Sequence, residues 1–182
     1  MHSRFLPLVS AGLLITAVPA LAENQDGAFT LSPFAGAQGF PVFFNGEEHF
    51  DADFYAGIRG GYNFTENLRG SLLFGYNDTK RDPGDIPCTL YQYGGDLSYH
   101  FLPETDLIPF VAIGFGAFTA DFADDDLGSD THPYIDFGGG VEYFFTDWFG
   151  VRADFRHSIT LDDGEHGWMG ALGVTFQFGR NR

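Results

Sequence analysis

Three groups of residues in this chain have types and spacings that could do chemistry. His157 and Ser158 are adjacent and could supply the base and the nucleophile of a hydrolase. Acidic residues crowd four segments, where their oxygens could bind Ca²⁺ or Mg²⁺. Arginines and carboxylates also occur singly within apolar segments, where an unpaired charge is costly. The elements that position these residues decide which chemistry is possible.

The two charged groups differ in how their members are spaced. The acidic segments contain Glu47, Glu48 and Asp51; Asp78, Asp82 and Asp85; Asp121, Asp124, Asp125, Asp126 and Asp130; and Asp162, Asp163 and Glu165. The single charges, four of each sign, are Arg59, Arg69, Asp96, Asp136, Glu142, Arg152, Asp154 and Arg156. The acidic spacing does not match a Ca²⁺ loop such as the EF-hand. We therefore expect solvated acidic loops, and we predict no metal site and no cofactor.

The composition excludes several classes of protein. With 25 Asp and Glu against 9 Lys and Arg, the net charge is -16, so no basic surface is available for nucleic acid. Aromatic residues form 18% of the chain, which is too apolar for a disordered acidic protein. Lys80 is the only lysine, which is unusual for a surface that faces water. Cys88 is the only cysteine, so an intrachain disulfide is impossible, and we expect an incidental thiol in a loop.

The first 22 residues have the three parts of a secretory signal peptide. Arg4 gives a positive start, residues 5–18 are apolar, and the small residues Ala20 and Ala22 frame a cleavage site. We predict a signal peptide at 1–22 and one domain at 23–182. The longest apolar run that follows, 108–118, is too short for a membrane-spanning helix.

Alternation of apolar and polar residues dominates the rest of the chain. In 54–64, for example, Phe54, Ile58 and Tyr62 fall on one face, while Arg59 and glycines fall on the other. This pattern predicts eight strands, at 29–40, 54–64, 68–77, 90–101, 109–119, 134–145, 149–158 and 168–178. Short turns (65–67, 103–106, 146–148) alternate with long polar segments (41–53, 78–89, 120–133, 160–167). Strands of this length and number, connected in this way, are typical of an outer-membrane barrel.

The choice between a membrane barrel and a soluble barrel depends on which face points inward. The polar face is rich in glycine, which suits a narrow filled lumen and would make a poor water-facing surface. The apolar face carries large residues with aromatics near the strand ends, as in interfacial girdles. We therefore place lipid outside and the eight single charges inside, paired in a lumen ion-pair network. A three-residue turn after Phe145 would place Glu142 opposite Arg152.

Several segments resemble the small OmpA-like outer-membrane β-barrels over the whole chain after residue 22. Residues 108–116 (IPFVAIGFG) look like the fifth strand of that family, and 138–144 (GGGVEYF) and 151–156 (VRADFR) look like the sixth and seventh. Residues 173–178 (GVTFQF) are similar to the C-terminal signal for the assembly machinery. The chain extends beyond this signal by four residues, and it has no segment that resembles the peptidoglycan-binding domain of larger members.

The resemblance implies an all-β, eight-stranded antiparallel transmembrane β-barrel with up-and-down meander topology in the outer membrane of a Gram-negative bacterium. We expect a monomeric structural barrel, either filled or a narrow or gated pore, that contacts lipopolysaccharide and the assembly machinery. One alternative is a surface binding or adhesion module that acts through the loops. Another is a lipid A hydrolase that uses His157 and Ser158. Adjacent strand residues point to opposite faces, so we predict no enzyme.

Overall fold

The computed structural model describes residues 24–40, 49–82, 86–122, 129–162 and 164–179, and its regular structure is entirely β. The strands are β1 (Phe29–Phe40), β2 (His49–Asn63), β3 (Leu68–Asp82), β4 (Ile86–His100), β5 (Leu107–Phe122), β6 (Ser129–Thr146), β7 (Phe149–Thr160) and β8 (His166–Phe178). None of the described residues belongs to a helix that is long and apolar enough to cross a membrane. The predicted signal peptide, 1–22, lies outside the described residues.

The eight strands form a closed barrel in which each strand pairs with its neighbours along the chain. β1 closes the sheet by pairing antiparallel with β8, from the Phe29–Phe178 pair to the Gly39–Trp168 pair. Closure leaves no unpaired strand edge, which a sheet within lipid cannot tolerate. The predicted eight-stranded meander is therefore confirmed.

The two faces of the sheet have the opposite polarity to those of a soluble barrel. Large apolar side chains point outward, with Leu72 74% and Phe115 73% exposed. Polar side chains point inward, and Arg69 is only 1% exposed. The core of this protein is therefore the polar lumen, and the apolar face is its outer surface.

Most strands extend further than the sequence predicts, mainly at one end of the barrel. We call this the loop end and the opposite end, with its tight turns, the turn end. Strands β3 to β6 take up much of the segments 78–89 and 120–133, which the sequence predicts to be loops. Loss of clear alternation in these polar segments caused the error, because outward side chains above the membrane need not be apolar. Cys88, expected in a loop, is instead buried in β4.

The hairpin of β5 and β6 extends beyond the height of a membrane. β6 has 18 residues, whereas a transmembrane strand needs about 9 to 11. Toward the loop end, outward positions change from apolar Phe115 and Ile135 to Thr119 and Thr131, whose hydroxyls lie 2.9 Å apart. The loop end of this hairpin therefore projects from the apolar band.

Glycines on the inner face leave room for large lumen side chains. A Cβ atom on Gly75 would clash with the ring and hydroxyl of Tyr55, whose Cζ would lie 2.6 Å away, and one on Gly140 would lie 2.9 Å from Cζ of the Phe110 ring. The outward Gly60 has no such neighbour within 4 Å. The glycine-rich inner face is therefore a packing requirement of the filled lumen.

Candidate functional site

The lumen holds all eight charged residues that the sequence placed on the inner face. Seven of these residues are buried, and the side chain of the eighth, Asp96, is only 5% exposed. They form two groups along the barrel, one at the turn end and one in the centre. The residues come from five strands, β2, β3, β4, β6 and β7, which project them inward because each occupies an inward position of its strand.

The group at the turn end is centred on Glu142. Arg69 donates to both carboxylate oxygens of Glu142 from Nη1, at 3.1 and 3.0 Å. The Thr175 hydroxyl donates to Oε1 at 2.7 Å. His100 Nε2 lies 3.6 Å from Oε2, and the His100 side chain is fully buried. Glu142, itself 0% exposed, is thus neutralised by a partner from the opposite side of the barrel.

Arg69 is also tied to the segment that closes the turn end. Its Nε donates to Asn63 Oδ1 at 2.6 Å, and its Nη2 donates to Asn24 Oδ1 at 2.8 Å. Asn24, which precedes β1, is fully buried and donates from Nδ2 to the Glu66 carbonyl. The chain before β1 therefore folds across the turn end and takes part in the same hydrogen-bond network.

The central group begins with Asp154, which two arginines share. Arg59 Nη1 lies 3.0 Å and Arg152 Nε lies 2.7 Å from the same oxygen, Asp154 Oδ2. Each arginine also covers an aromatic ring: Arg152 lies 3.9 Å from the Phe110 ring centre, and Arg59 lies 5.5 Å from that of Phe34. Ion pairing and cation–π contacts together hold both guanidinium groups inside the barrel.

The remaining central charges connect to this pair through Asp96. Arg59 Nε lies 3.3 Å and Arg156 Nη2 lies 3.5 Å from Asp96 Oδ2. Arg156 Nη1 also donates to Asp136 Oδ1 at 2.8 Å. The central group is therefore a continuous chain of alternating charges across the lumen.

Glu142 and Arg152 occupy facing positions of β6 and β7, as the turn length had suggested. Their closest charged atoms, however, are 4.0 Å apart. Glu142 lies closer to Arg69, and Arg152 lies closer to Asp154. Sequence spacing identifies neighbours across one hairpin, but it carries no information about strands on the other side of the barrel.

Between the central charges and the loop end lies a layer of neutral polar residues that the sequence analysis did not single out. Gln92 accepts a hydrogen bond from the Tyr55 hydroxyl and donates to the Tyr134 hydroxyl at 2.9 Å. Gln38 Nε2 also donates to the Gln92 carbonyl at 3.3 Å. Alternation places all four side chains on the inner face, and this was the one feature of the sequence that could have identified them. Their contacts span strands that are distant in sequence.

An apolar cluster occupies the lumen next to this layer, toward the loop end. Its buried members are Cys88, Leu90, Phe118, Ala120 and Tyr134. The rings of Phe118 and Tyr134 stack with their centres 4.2 Å apart. The cluster is an apolar barrier on the β4 to β6 side of an otherwise polar lumen.

The pair suggested for hydrolysis is split by the sheet. Ser158 is buried on the inner face, whereas His157 is half-buried on the outer face. His157 Nε2 instead lies 2.9 Å from His166 Nδ1. Ser158 and His157 therefore do not face each other.

The acidic loop residues are only partly described. His132 joins two of them, with Nδ1 at 2.6 Å from Asp162 Oδ2 and Nε2 at 3.3 Å from Asp130 Oδ2. Outside the described residues lie Glu47, Glu48, Asp85, Asp124, Asp125, Asp126 and Asp163. Within the part of the chain that the structure describes, no group of three or more His, Cys, Asp or Glu side chains is arranged to hold a metal.

Comparison with known proteins agrees with this architecture. The family model described as "Outer membrane protein beta-barrel domain" matches residues 8–179. Outer membrane porin F of Pseudomonas aeruginosa is 30% identical over 144 residues, which are 72% of this chain and 40% of that protein. This chain therefore aligns with less than half of that relative.

Solved structures share the fold. The N-terminal barrel domain of Pseudomonas aeruginosa OprF has a TM-score of 0.60 and 24% identity, with 84% of this chain and 98% of that chain covered. Neisserial surface protein A has a TM-score of 0.68 and 18% identity, with 84% and 100% covered. Ail of Yersinia pestis, solved with the heparin analogue sucrose octasulfate, has a TM-score of 0.61 and 15% identity, with 85% and 100% covered. This chain belongs to the outer-membrane β-barrel family, is a small OmpA-like barrel, and is located in the bacterial outer membrane.

Proposed function

We propose that this protein is a structural outer-membrane barrel whose lumen is closed at rest. The observation that carries the proposal is the paired state of the eight lumen charges, which cross-link opposite walls. Arg69 and Glu142 form one such link, from β3 to β6, and Arg59 and Asp154 form another, from β2 to β7. An ion that entered the lumen would have to separate these pairs.

Separating a buried pair is costly, because each released charge needs a new partner in a confined space. Removing one partner of a buried ion pair destabilises a protein by about 3 to 5 kcal/mol. The apolar cluster around Phe118 and Tyr134 adds a second barrier, since narrow apolar constrictions exclude water and ions. Two barriers of different chemistry favour a filled barrel over an open pore.

A rare conducting state has a structural route. Arg152 Nη1 already lies 4.0 Å from Glu142 Oε1, so Glu142 can exchange Arg69 for Arg152 with a small displacement. This exchange would break the Arg69–Glu142 ion pair, which connects β3 to β6. The proposed gated pore therefore opens when an ion pair is exchanged, and no side chain has to leave the barrel.

The test is the conductance of refolded protein in planar bilayers. We expect the unmodified barrel to show no steady conductance and only brief openings. The double variant Arg156→Ala/Asp136→Ala removes a whole central pair, and we expect it to conduct for longer. Leu72→Ala shortens a side chain on the outer surface and leaves the lumen pairs intact, so this control should behave like the unmodified protein. A steady, large conductance of the unmodified barrel would contradict the closed lumen.

We infer that the protein does not hydrolyse lipid. A Ser–His pair must share a proton, and His157 and Ser158 lie on opposite faces of β7. His157 also has a different hydrogen-bond partner, His166. A lipid-hydrolysis assay on the same refolded sample should show no product. Product formation that is lost in Ser158→Ala would overturn this inference.

A second candidate function is binding at the loop end, and the projecting hairpin of β5 and β6 favours it. Strands that continue beyond the membrane hold loops rigidly away from the lipid surface, as a binding module requires. The ligand class would differ from that of Ail, which was solved with a polyanionic heparin analogue. A chain with a net charge of -16 repels polyanions, so we propose cationic or neutral surfaces as its partners.

Retention of charged particles by the barrel can distinguish binding at the loop end from a purely structural role. Immobilised barrel should retain polycationic particles more strongly than heparin-coated ones, and the retention should fall as salt is raised. A variant with Thr119 and Thr131 replaced by proline would disrupt the projecting strands and should reduce retention. Equal retention of both particle types would remove support for a charge-guided loop module.

The remaining proposed partners are ones that we expect of any barrel in the outer membrane. We propose that the apolar outer face contacts membrane lipid and lipopolysaccharide, and that strand β8 presents the assembly signal. We also propose that the barrel is a monomer, because each strand already has two neighbouring strands in the closed barrel. Sedimentation in a density-matched detergent tests the monomer, and a shift to a dimer would contradict it.

A further inference from the structure

The outer face of the barrel carries a pair of histidines that the closed-lumen function does not use. His157 on β7 lies opposite Trp168 on β8, and His166 on β8 lies opposite Ile159 on β7. The two histidines are therefore diagonal neighbours on adjacent strands and share the outward face. Both are half-buried near the loop end of the hairpin.

The two imidazoles are in direct contact. His157 Nε2 and His166 Nδ1 are 2.9 Å apart, and the ring centres are separated by 5.1 Å. Among the described residues, no carboxylate lies within ion-pair distance of either ring. Their shared hydrogen bond requires one imidazole to donate and the other to accept through a lone pair. Within the described part of the chain, the pair thus brings two nitrogen ligands together without a competing anion.

We propose that His157 and His166 chelate one divalent transition-metal ion of the Zn²⁺, Ni²⁺ or Cu²⁺ class. Imidazole nitrogen suits these ions, at a bond length of about 2.0 to 2.1 Å for zinc. Two nitrogens at that distance from one ion are about 3 Å apart when the angle at the metal is near 90°. The observed separation of 2.9 Å already has this span.

Metal binding requires only a change of tautomer and a rotation of the rings. The imidazole that donates the shared hydrogen bond moves its proton to its outer nitrogen, so that both facing nitrogens present lone pairs. The lone pairs then form two metal–nitrogen bonds, and no electron transfer takes place. The ring planes, now at 40° to each other, turn toward a common apex occupied by the ion.

The position of the pair supports a preformed site. The backbones of both histidines are fixed by the β7–β8 ladder, which continues through the Ser158–Gly167 pair between them. The Phe137 ring packs against His157 with its centre 5.3 Å away, which restricts the imidazole on the β6 side. Two ligands on rigid strands lose little freedom when they bind an ion. Water or a lipid headgroup oxygen would complete the coordination.

The ligand set also determines which ions bind. Ca²⁺ and Mg²⁺ prefer oxygen ligands, so the histidine pair should not retain them. For the same two nitrogens, affinity should rise from Zn²⁺ and Ni²⁺ to Cu²⁺.

The test uses the refolded full-length barrel and Cu²⁺ as the probe. We expect one saturable ion per barrel by calorimetry, with an electron paramagnetic resonance spectrum that shows coupling to two nitrogens. His157→Gln and His166→Gln should each weaken this site at least tenfold and abolish the two-nitrogen coupling. Because chelation needs both rings, the double variant should be little worse than either single variant.

The matched control is His132→Gln, which removes a histidine that contacts Asp130 and Asp162 instead. This variant should retain the copper site. Native electrophoretic mobility would establish that each variant is folded, and His157→Phe provides a second variant that keeps a ring beside Phe137. Unchanged copper binding in the His157 and His166 variants, or loss of binding in His132→Gln, would overturn the proposal.

Discussion

Glu142 and Arg152 face each other across the β6–β7 hairpin, yet each has a closer partner elsewhere in the lumen. Glu142 Oε2 lies 3.0 Å from Arg69 Nη1, whereas its Oε1 lies 4.0 Å from Arg152 Nη1. Arg152 in turn lies 2.7 Å from Asp154. The strongest cross-link of the turn end therefore joins β3 to β6, on opposite walls of the barrel.

Replacement of Arg69 should be among the most damaging single changes in the lumen. Arg69→Ala would leave Glu142, which is 0% exposed, without its main countercharge, and we expect a loss of about 3 to 5 kcal/mol in the free energy of unfolding. Urea unfolding of the barrel refolded in lipid vesicles measures this loss. The double variant Arg69→Ala/Glu142→Ala should be less destabilised than the sum of the single variants.

Two further mutant cycles provide the controls for this prediction. Arg152 and Glu142 should couple more weakly than Arg69 and Glu142, because their charged atoms are 4.0 Å apart. Arg152 and Asp154 should couple strongly, at 2.7 Å. Equal coupling energies in the three cycles would mean that the lumen charges pair differently.

Lumen glycines should tolerate substitution far less than glycines on the lipid face. In Gly75→Ala the new Cβ would lie within 2.6 Å of the buried Tyr55 ring, which is fixed by its hydrogen bond to Gln92. We expect this overpacking to cost about 1 to 3 kcal/mol. Gly60→Ala, with no neighbouring atom within 4 Å, should be nearly neutral. Similar stabilities of the two variants in urea would contradict this packing account.

The fold could be predicted because one physical pattern runs through the whole chain. A strand with lipid on one side and a polar lumen on the other must alternate, so Ile58 and Arg59 alone indicate which face is which. Strand ends were less predictable, because the outward face changes to Thr119 and Thr131 above the apolar band. Cys88 was misplaced for the same reason, since it pairs with Phe122, which lies beyond Thr119 at the loop end of β5.

The charged residues of the site could be listed from the sequence, but their partners could not. Local register relates Glu142 to Arg152 through a short turn. Contact between Arg69 and Glu142 spans 73 residues and depends on barrel diameter and strand tilt. The neutral layer of Tyr55, Gln92 and Tyr134 was missed because uncharged polar residues are also common in strands that line no site.

Export should remove the segment that we interpret as a signal peptide. Cleavage after Ala22 would expose Glu23 as the first residue of the membrane-extracted protein, which intact mass spectrometry can establish. Closed barrels resist detergent, so the same protein should also migrate differently on denaturing gels before and after boiling. An intact Met1 on membrane-extracted protein would contradict the signal-peptide prediction, and identical migration would contradict a stable closed barrel.

The third acidic segment, between Asp121 and Asp130, should not bind Ca²⁺ tightly. Carboxylates that crowd one loop repel one another, and an ion bound by three or more of them would relieve the repulsion. We expect a diffuse ion atmosphere instead, because the spacing matches no calcium loop and His132 already contacts Asp130. Calorimetric titration of Ca²⁺ at about 0.15 M monovalent salt, where the atmosphere is largely screened, should show no saturable site tighter than about millimolar. A micromolar site that is lost in Asp124→Asn and Asp126→Asn would instead make this loop a calcium-binding centre.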